Sequence, residues 1–220
     1  MLIKIKKIIW SIIYLFSHII FLNKKISRGN NSLTIDKVLF YKSRIFIQGK
    51  NNTVIIGKNT RISNLLIYII GDNNIVKVGS KCILRGKKIH VEGSGCEVSI
   101  GDKTTIESAE LACTEIGKKI TIGTDCMFAD DIDIRNGDSH SIIDLDSGKR
   151  TNFAKDINIG DHVWIASHSI ILKGVSIASD SVVASGSIVT KNVLANSVVG
   201  GVPSSVIKKR ITWSRERILI

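Results

Sequence analysis

A single proline and few aromatic residues, 5% of the chain, stand against abundant Ile and Val in these 220 residues. A core without many rings must come from aliphatic side chains, and β-branched residues favour short extended segments over helices. All-β structure is the expectation. The four cysteines, at 82, 96, 113 and 126, are far apart and form no CxxC pair, so neither a zinc knuckle nor a dithiol redox motif is present. Cys82 and Cys126 fall on a small inward position of the repeat described below, where a thiol acts as a small hydrophobe. Zinc-finger spacing, a basic heptad helix and an aromatic RNA-binding signature are also missing, which argues against nucleic acid despite a formal charge of +12. Acidic lipid headgroups and acidic polysaccharide remain as polyanions that so basic a surface attracts.

Long hydrophobic runs are lacking too. The longest, residues 8–22, has 15 residues and includes Ser11, Ser17 and His18. As a helix it reaches about 22 Å, short of the roughly 30 Å of a bilayer's hydrocarbon core. Lys4, Lys6 and Lys7 precede it, Lys24 and Lys25 close it, and no small-residue cleavage site follows, which disfavours a cleaved signal peptide. The segment reads as an amphipathic helix lying on an anionic membrane surface, or packed on the protein's own body. His18 has no partner in sequence and reads as a helix-face histidine without a chemical role.

What the chain does contain is a repeat. Aliphatic-Gly-x-x-small recurs at Ile56-Gly57 to Thr60, Val78-Gly79 to Cys82, Ile100-Gly101 to Thr104 and Ile122-Gly123 to Cys126, and Gly49, Gly71 and Gly93 form a second series. Both series keep a 22-residue spacing. Beyond residue 155 the period tightens to six: Ile159, Ile165, Ile171, Ile177, Val183 and Val189. Four positions after each comes a small residue such as Ser169, Val175, Ser181 or Ser187, and Gly160, Ala166, Ala178 and Ala184 supply a small turn position. Three hexapeptides make one triangular coil, and the 22-residue units are such coils with short inserts.

These hexapeptides resemble those of the left-handed β-helix acyltransferases. The left-handed sense is what the resemblance implies, since periodicity does not report handedness and most parallel crossovers are right-handed. The expected fold is therefore an all-β, left-handed parallel β-helix over residues 29–205, an N-terminal amphipathic helix within 1–28, and a short basic C-terminal tail, 206–220. Homotrimers with active sites between subunits are a further implication of the family.

Between the regular regions, residues 130–156 abandon the period and become polar. A solenoid that breaks register makes a loop, and loops carry sites. The centre is Asp138-Ser139-His140-Ser141, followed by Val163-Trp164-Ile165-Ala166, Leu172-Lys173-Gly174-Val175 and Gly200-Gly201-Val202-Pro203-Ser204. Within the family, these segments look most like bacterial capsular (sialic acid) polysaccharide O-acetyltransferases. The resemblance implies acetyl-coenzyme A as donor, His140 as catalytic base and Trp164 beside the acetyl-transfer site. It places the donor along Ala166, Ser167, Lys173, Ala184, Ser185, Thr190, Lys191 and Pro203, with Lys208, Lys209 and Arg210 available to its phosphates. Ala166 and Ser204 depart from the family's usual Gly and Ala; both remain small.

Imidazole suits the removal of a proton from a sugar hydroxyl near neutral pH. Asp138 and Asp144 are candidates to orient its second nitrogen, and backbone N–H groups around Ala166 and Ser167 to stabilise an oxyanion. Arg135, Asp138, Ser139, Lys149 and Arg150 are candidate acceptor contacts, the cations suiting an acidic capsular polysaccharide or lipooligosaccharide. Three rivals are an amino-sugar N-acetyltransferase, a non-catalytic trimeric scaffold and a γ-type carbonic anhydrase. The last needs three convergent zinc ligands; His162 and His168 are six residues apart, on adjacent faces, and His90 is isolated, so no metal site is expected. The expected location is cytoplasmic, with attachment at the inner face of the bacterial membrane where the N-terminal helix meets lipid.

Overall fold

The computed structural model describes residues 2–219, with side chains from residue 9 onward; the side chains of Lys4, Lys6 and Lys7 lie outside the described residues. Aliphatic side chains alternate inward and outward along short strands, as period-two patterning requires, and the chain winds as a left-handed parallel β-helix. Each coil adds one strand to each of three sheets, the faces of a triangular prism. Among the described residues, face A holds eight strands from Leu22–Ile26 to Ile188–Val189, and face B seven from Ser32–Ile35 to Ser176–Ile177. Face C holds nine, from Leu39–Tyr41 to Ser204–Lys209.

The two sequence periods appear as two coil sizes. In the lower coils Lys87 stands against Ala109 and Glu97 against Lys119; in the upper ones Trp164 stands against Val182 and Ile170 against Ile188. The extra residues of the larger coils widen face A, whose strand Lys87–Glu92 has 6 residues where Ile170–Ile171 has 2. Face A therefore narrows abruptly above Ile132–Arg135, and the polar interruption leaves the prism at that step.

The axis is filled by one continuous aliphatic column, with Phe128 its largest fully buried side chain. The small residues at the corners do more than fill space. Asn74 is fully buried; its Oδ1 accepts the Cys96 N–H at 2.9 Å and its Nδ2 donates to the Gly93 carbonyl at 2.9 Å. Asn52, one coil lower, serves Asn74 and Gly71 in the same way. At the next corner Thr60 and Thr104 donate to the Gly79 and Gly123 carbonyls and accept the Cys82 and Cys126 N–H groups. The repeat's small residue must thus often be polar, because each turn would otherwise bury unpaired backbone groups. All four cysteines are buried and free.

The helix Leu2–Ile20 closes the lower end of the prism. Its inner side carries buried Ser17 and half-buried His18, whose Nε2 lies 3.0 Å from the Val38 carbonyl and whose ring meets Phe40 edge-on. Burial lowers the His18 pKa against the pull of that carbonyl, so His18 is a packing and anchoring residue. Ile9, Trp10, Ile13, Leu15, Phe16 and Ile19 remain exposed. Among the described residues no helix is long and apolar enough to cross a membrane.

Asn74→Ala strands the Cys96 N–H and the Gly93 carbonyl inside the prism, at about 1–3 kcal/mol for each buried group left unpaired. A clear fall in the thermal unfolding midpoint is the expected result, measured by circular dichroism at the β-sheet band.

Candidate active site

The interruption leaves face A after Ile132–Arg135 and returns into face B at Ile157–Ile159, so it projects from the A/B edge. Gly137 begins the exit. A Cβ there would meet Thr114 Oγ1 at 2.6 Å and Ala154 Cβ at 3.1 Å, so outgoing and returning chains press together on the coil below. Beyond it the chain forms a small hairpin, with Ile143 bridged to Arg150 and Asp144 accepting the Ser147 N–H and hydroxyl at 2.8 and 2.6 Å.

One buried side chain holds this excursion. Asn152 Nδ2 donates to Asp138 Oδ2 at 2.7 Å and to the His140 carbonyl at 2.8 Å, while its Oδ1 accepts the Ile142 N–H at 2.8 Å and Arg150 Nε at 3.1 Å. A second anchor is Glu115, which pairs with Arg150 and accepts the Ala154 N–H at 3.0 Å. Burial pushes the Glu115 carboxyl up, but the Ala154 N–H and the Arg150 guanidinium outweigh it and hold it below the usual carboxylate range. Asp138 is also held low, by the Lys173 ammonium and by the Asn152 amide.

Between this excursion and the wide ledge of face A lies a cleft of about 520 Å³, lined by His90, Glu92, Thr114, Glu115, Arg135, Arg150 and residues 137–141. Arg135, Asp138, Ser139, His140 and Arg150 therefore come together as expected. His140 is exposed to the cleft, and among the described residues nothing hydrogen-bonds its imidazole. Neither Asp138 nor Asp144 reaches that ring: the first is engaged by Lys173 and Asn152, the second closes the hairpin turn. Lys149 does not line the cleft; it lies exposed in the hairpin, where its carbonyl accepts the Asp144 N–H.

The expected donor residues divide. Trp164, Ala166 and Ala184 stand on face C, the side of the prism opposite the A/B edge. There Ala129, Ala166, Ala184 and Gly200 follow one another up the sheet as a strip of small residues beside Trp164. Ser185 donates to the Ser167 carbonyl at 2.9 Å next to that strip. Pro203 is exposed in the turn before the outermost strand of face C, which carries Lys208 and Lys209 and is followed by Arg210. Lys173, Thr190 and Lys191 lie instead on the A/B side: Lys173 pairs with Asp138 and donates to the Asn152 carbonyl at 3.2 Å. His162 and His168 occupy different edges, bound to Asp125 and Asp131. No cluster of metal-binding side chains occurs among the described residues.

Sequence reasoning missed Asn152, Glu115 and His90. The 22-residue register was the available signal for the last, since His90 stands against Ala112 and Ala112 against Arg135; Asn152 and Glu115 carry no local motif.

No family model matches the chain. Two solved structures match it along nearly its whole length. The polysialic acid-specific acetyltransferase NeuO is 33% identical with a TM-score of 0.82, covering 89% of this chain and 90% of that one. The polysialic acid O-acetyltransferase OatWY is 33% identical with a TM-score of 0.84, covering 90% and 92%. The chain belongs to the hexapeptide-repeat acyltransferase family. Among curated relatives, the polysialic acid O-acetyltransferase of Escherichia coli O1:K1 is 41% identical over 96 residues, 44% of this chain and 31% of that protein. That of Neisseria meningitidis is 52% identical over 56 residues, 26% of each. The chain thus spans a third or less of the length of these curated relatives in the matched segments.

Asn152→Ala should loosen the excursion at neutral pH, so that trypsin cuts after Lys149 and Arg150 much faster than in the parent chain. The parent chain should open on acidification instead. Asp138 and Glu115 are lowered in the folded state, so their stabilisation is complete above about pH 4–4.5, the ordinary carboxylate pKa. It is lost as pH falls below that range through their depressed values. Pepsin cleavage within residues 137–156 should rise over that acidic interval.

Proposed function

We propose that this protein transfers the acetyl group of acetyl-coenzyme A to a hydroxyl of an acidic, sialic acid-containing bacterial polysaccharide, with His140 as general base. The observation that carries the reading is the imidazole of His140, presented without a hydrogen-bond partner in a cleft that also holds Arg135 and Arg150, in a chain that aligns almost end to end with two polysialic acid acetyltransferases. His140 takes the proton of the acceptor hydroxyl while that oxygen bonds to the acetyl carbonyl, and returns it to the sulfur as the carbon–sulfur bond breaks. Arg135 and Arg150 would attract an acceptor carboxylate through the N–H donors that Asp133, Glu115 and Asn152 leave open.

The donor fits the strip on face C, where small side chains allow an extended pantetheine arm to lie close to the backbone beside Trp164. Bound there, acetyl-coenzyme A supplies the activated acyl group. The Ala166 N–H is taken by the Val183 carbonyl at 2.9 Å, which leaves the Ser167 N–H as the donor for negative charge developing on the carbonyl. Lys208, Lys209 and Arg210 would meet the phosphates, with Ser185 and Pro203 along the path.

Base and donor strip lie on opposite sides of one prism, so the reading requires a neighbouring subunit: the His140 edge of one copy against face C of the next, closed as a homotrimer. The A/B edge suits such a partner, for Ile116, Ile142, Leu145 and Phe153 are exposed there, Leu145 almost entirely at 96%. In this assembly Lys173, Thr190 and Lys191 join the donor site from the His140 side.

The exposed apolar side of the N-terminal helix, with Lys24 and Lys25 beyond it, suits an anionic membrane surface, which supports peripheral contact with the inner face of the bacterial membrane.

His140→Ala should lower acetyl transfer by at least about 100-fold without changing the thermal midpoint, as His140 is exposed. Unchanged turnover would remove His140 from the mechanism; equal, salt-independent turnover of neutral saccharides would remove the acidic acceptor. On vesicles, the chain should cosediment with phosphatidylglycerol but not pure phosphatidylcholine, and Phe16→Glu should abolish this. Light scattering should give a trimer, and a fully active monomer would refute the shared site.

A further inference from the structure

The C-terminal segment beyond Lys209 descends the B/C edge of the prism and engages one edge residue in each successive coil. The Ile211 N–H donates to the Asn196 carbonyl at 3.0 Å, Thr212 Oγ1 to Asp180 at 3.0 Å, Trp213 Nε1 to the His162 carbonyl at 2.7 Å, and Arg215 Nε to Asp125 at 3.1 Å. The four edge residues share a positive φ, which turns the corner and presents each residue outward.

Trp213 is the fixed point of this strap. It is only 9% exposed, while its neighbours Thr212, Ser214 and Arg215 are not buried. The His162 ring stacks on it at 4.1 Å and 6°, and His162 Nε2 lies 3.0 Å from the Trp213 carbonyl. The Arg215 guanidinium stands 5.6 Å from its ring centroid. His162 Nδ1 and Arg215 Nε both bind the Asp125 carboxylate, at 3.0 and 3.1 Å. Asp125, His162, Trp213 and Arg215 thus form a closed circuit that leaves the indole little freedom. Among the described residues its other aromatic neighbour is Trp164, at 6.1 Å between ring centroids and 50° between planes.

Trp164 stands on the outer surface of face C, between Met127 and Val182 in register, and neither neighbour is an aromatic partner that would set its ring. We infer that the C-terminal strap sets the orientation of Trp164, with Trp213 as a positioning residue for acetyl transfer. The inference rests on the role proposed above for Trp164. It gives the tail a function that a solvated basic extension would lack, since a ring displaced beside the reacting carbonyl degrades the geometry on which the rate depends.

In the full-length chain, Trp213→Ala should abolish the Trp164–Trp213 exciton couplet in circular dichroism and lower kcat by about 10- to 100-fold, with little change in KM for acetyl-coenzyme A. Trp213→Phe should restore most of kcat without the couplet. Asp125→Asn with Arg215→Gln keeps both indoles but opens the circuit; it should weaken the couplet and lower kcat in parallel, which covers the case of Trp213→Ala failing to fold. A parent-like kcat in Trp213→Ala or in the circuit variant, beside an impaired Trp164→Phe, would overturn the inference alone. A fully active Trp164→Phe would instead overturn the role of Trp164, and the couplet would still report whether the strap holds that ring.

Discussion

In a parallel β-helix every backbone group along a strand is paired with the coils above and below, but at each corner the chain turns and some groups point inward with no ladder partner. That inward demand governs this molecule. Asn52, Asn74, Thr60 and Thr104 meet it by bonding both a carbonyl and an N–H of the next coil. Ser181 and Ser187 answer it in the upper coils through neighbouring carbonyls. Because each corner residue is specified by its neighbours one coil away, a coil cannot slip without stranding several buried groups. The register is fixed by polar chemistry as much as by the aliphatic column.

The same rule decides where a departure from the repeat is tolerated. A loop inserted within a strand would break two ladders; one inserted at a corner breaks neither. The excursion after Arg135 leaves at the A/B corner, where face A steps from wide to narrow. Its own backbone groups still need partners, and Asn152 answers four of them or their side-chain equivalents at once, with Glu115 fastening the returning strand. The ledge left by the wide coils then becomes the floor of a cleft with His140 at its rim. Site and scaffold are joined through the step in coil size, which the sequence records as a change of period from 22 residues to 18.

Much of this was legible before any coordinates. The glycine series located the coils, the hexapeptides located the upper prism, and the polar break located the cleft and its members Arg135, Asp138, Ser139, His140 and Arg150. What escaped depends on contacts across coils or out of register. Asn152 looks like any loop asparagine until its four hydrogen bonds are seen. Asp138 was an even candidate to orient His140, yet Lys173, 35 residues on, draws it elsewhere, and the pairing of two charges from separate turns has no local signature. The path of the tail has no signature in sequence, because its partners Asn196, Asp180, His162 and Asp125 align only once the coils are stacked, their sequence spacing being uneven across the excursion.

A prism of this kind has no interior to lend to chemistry. Inward side chains fill the axis, and outward ones lie on nearly flat sheets, so concavity arises only where something stands away from the faces. Among the described residues three such features stand out: the hairpin at the A/B edge, the helix at the lower end and the strap along the B/C edge. The hairpin carries the proposed base and two guanidinium groups but no surface of small residues on which a long donor could rest. Face C has that surface, beside Trp164, but not His140. Since neither half can migrate around a rigid prism, the proposed reaction calls for a second copy to unite them. On that proposal, the exposed aliphatic residues of the hairpin are the contact such a copy would cover.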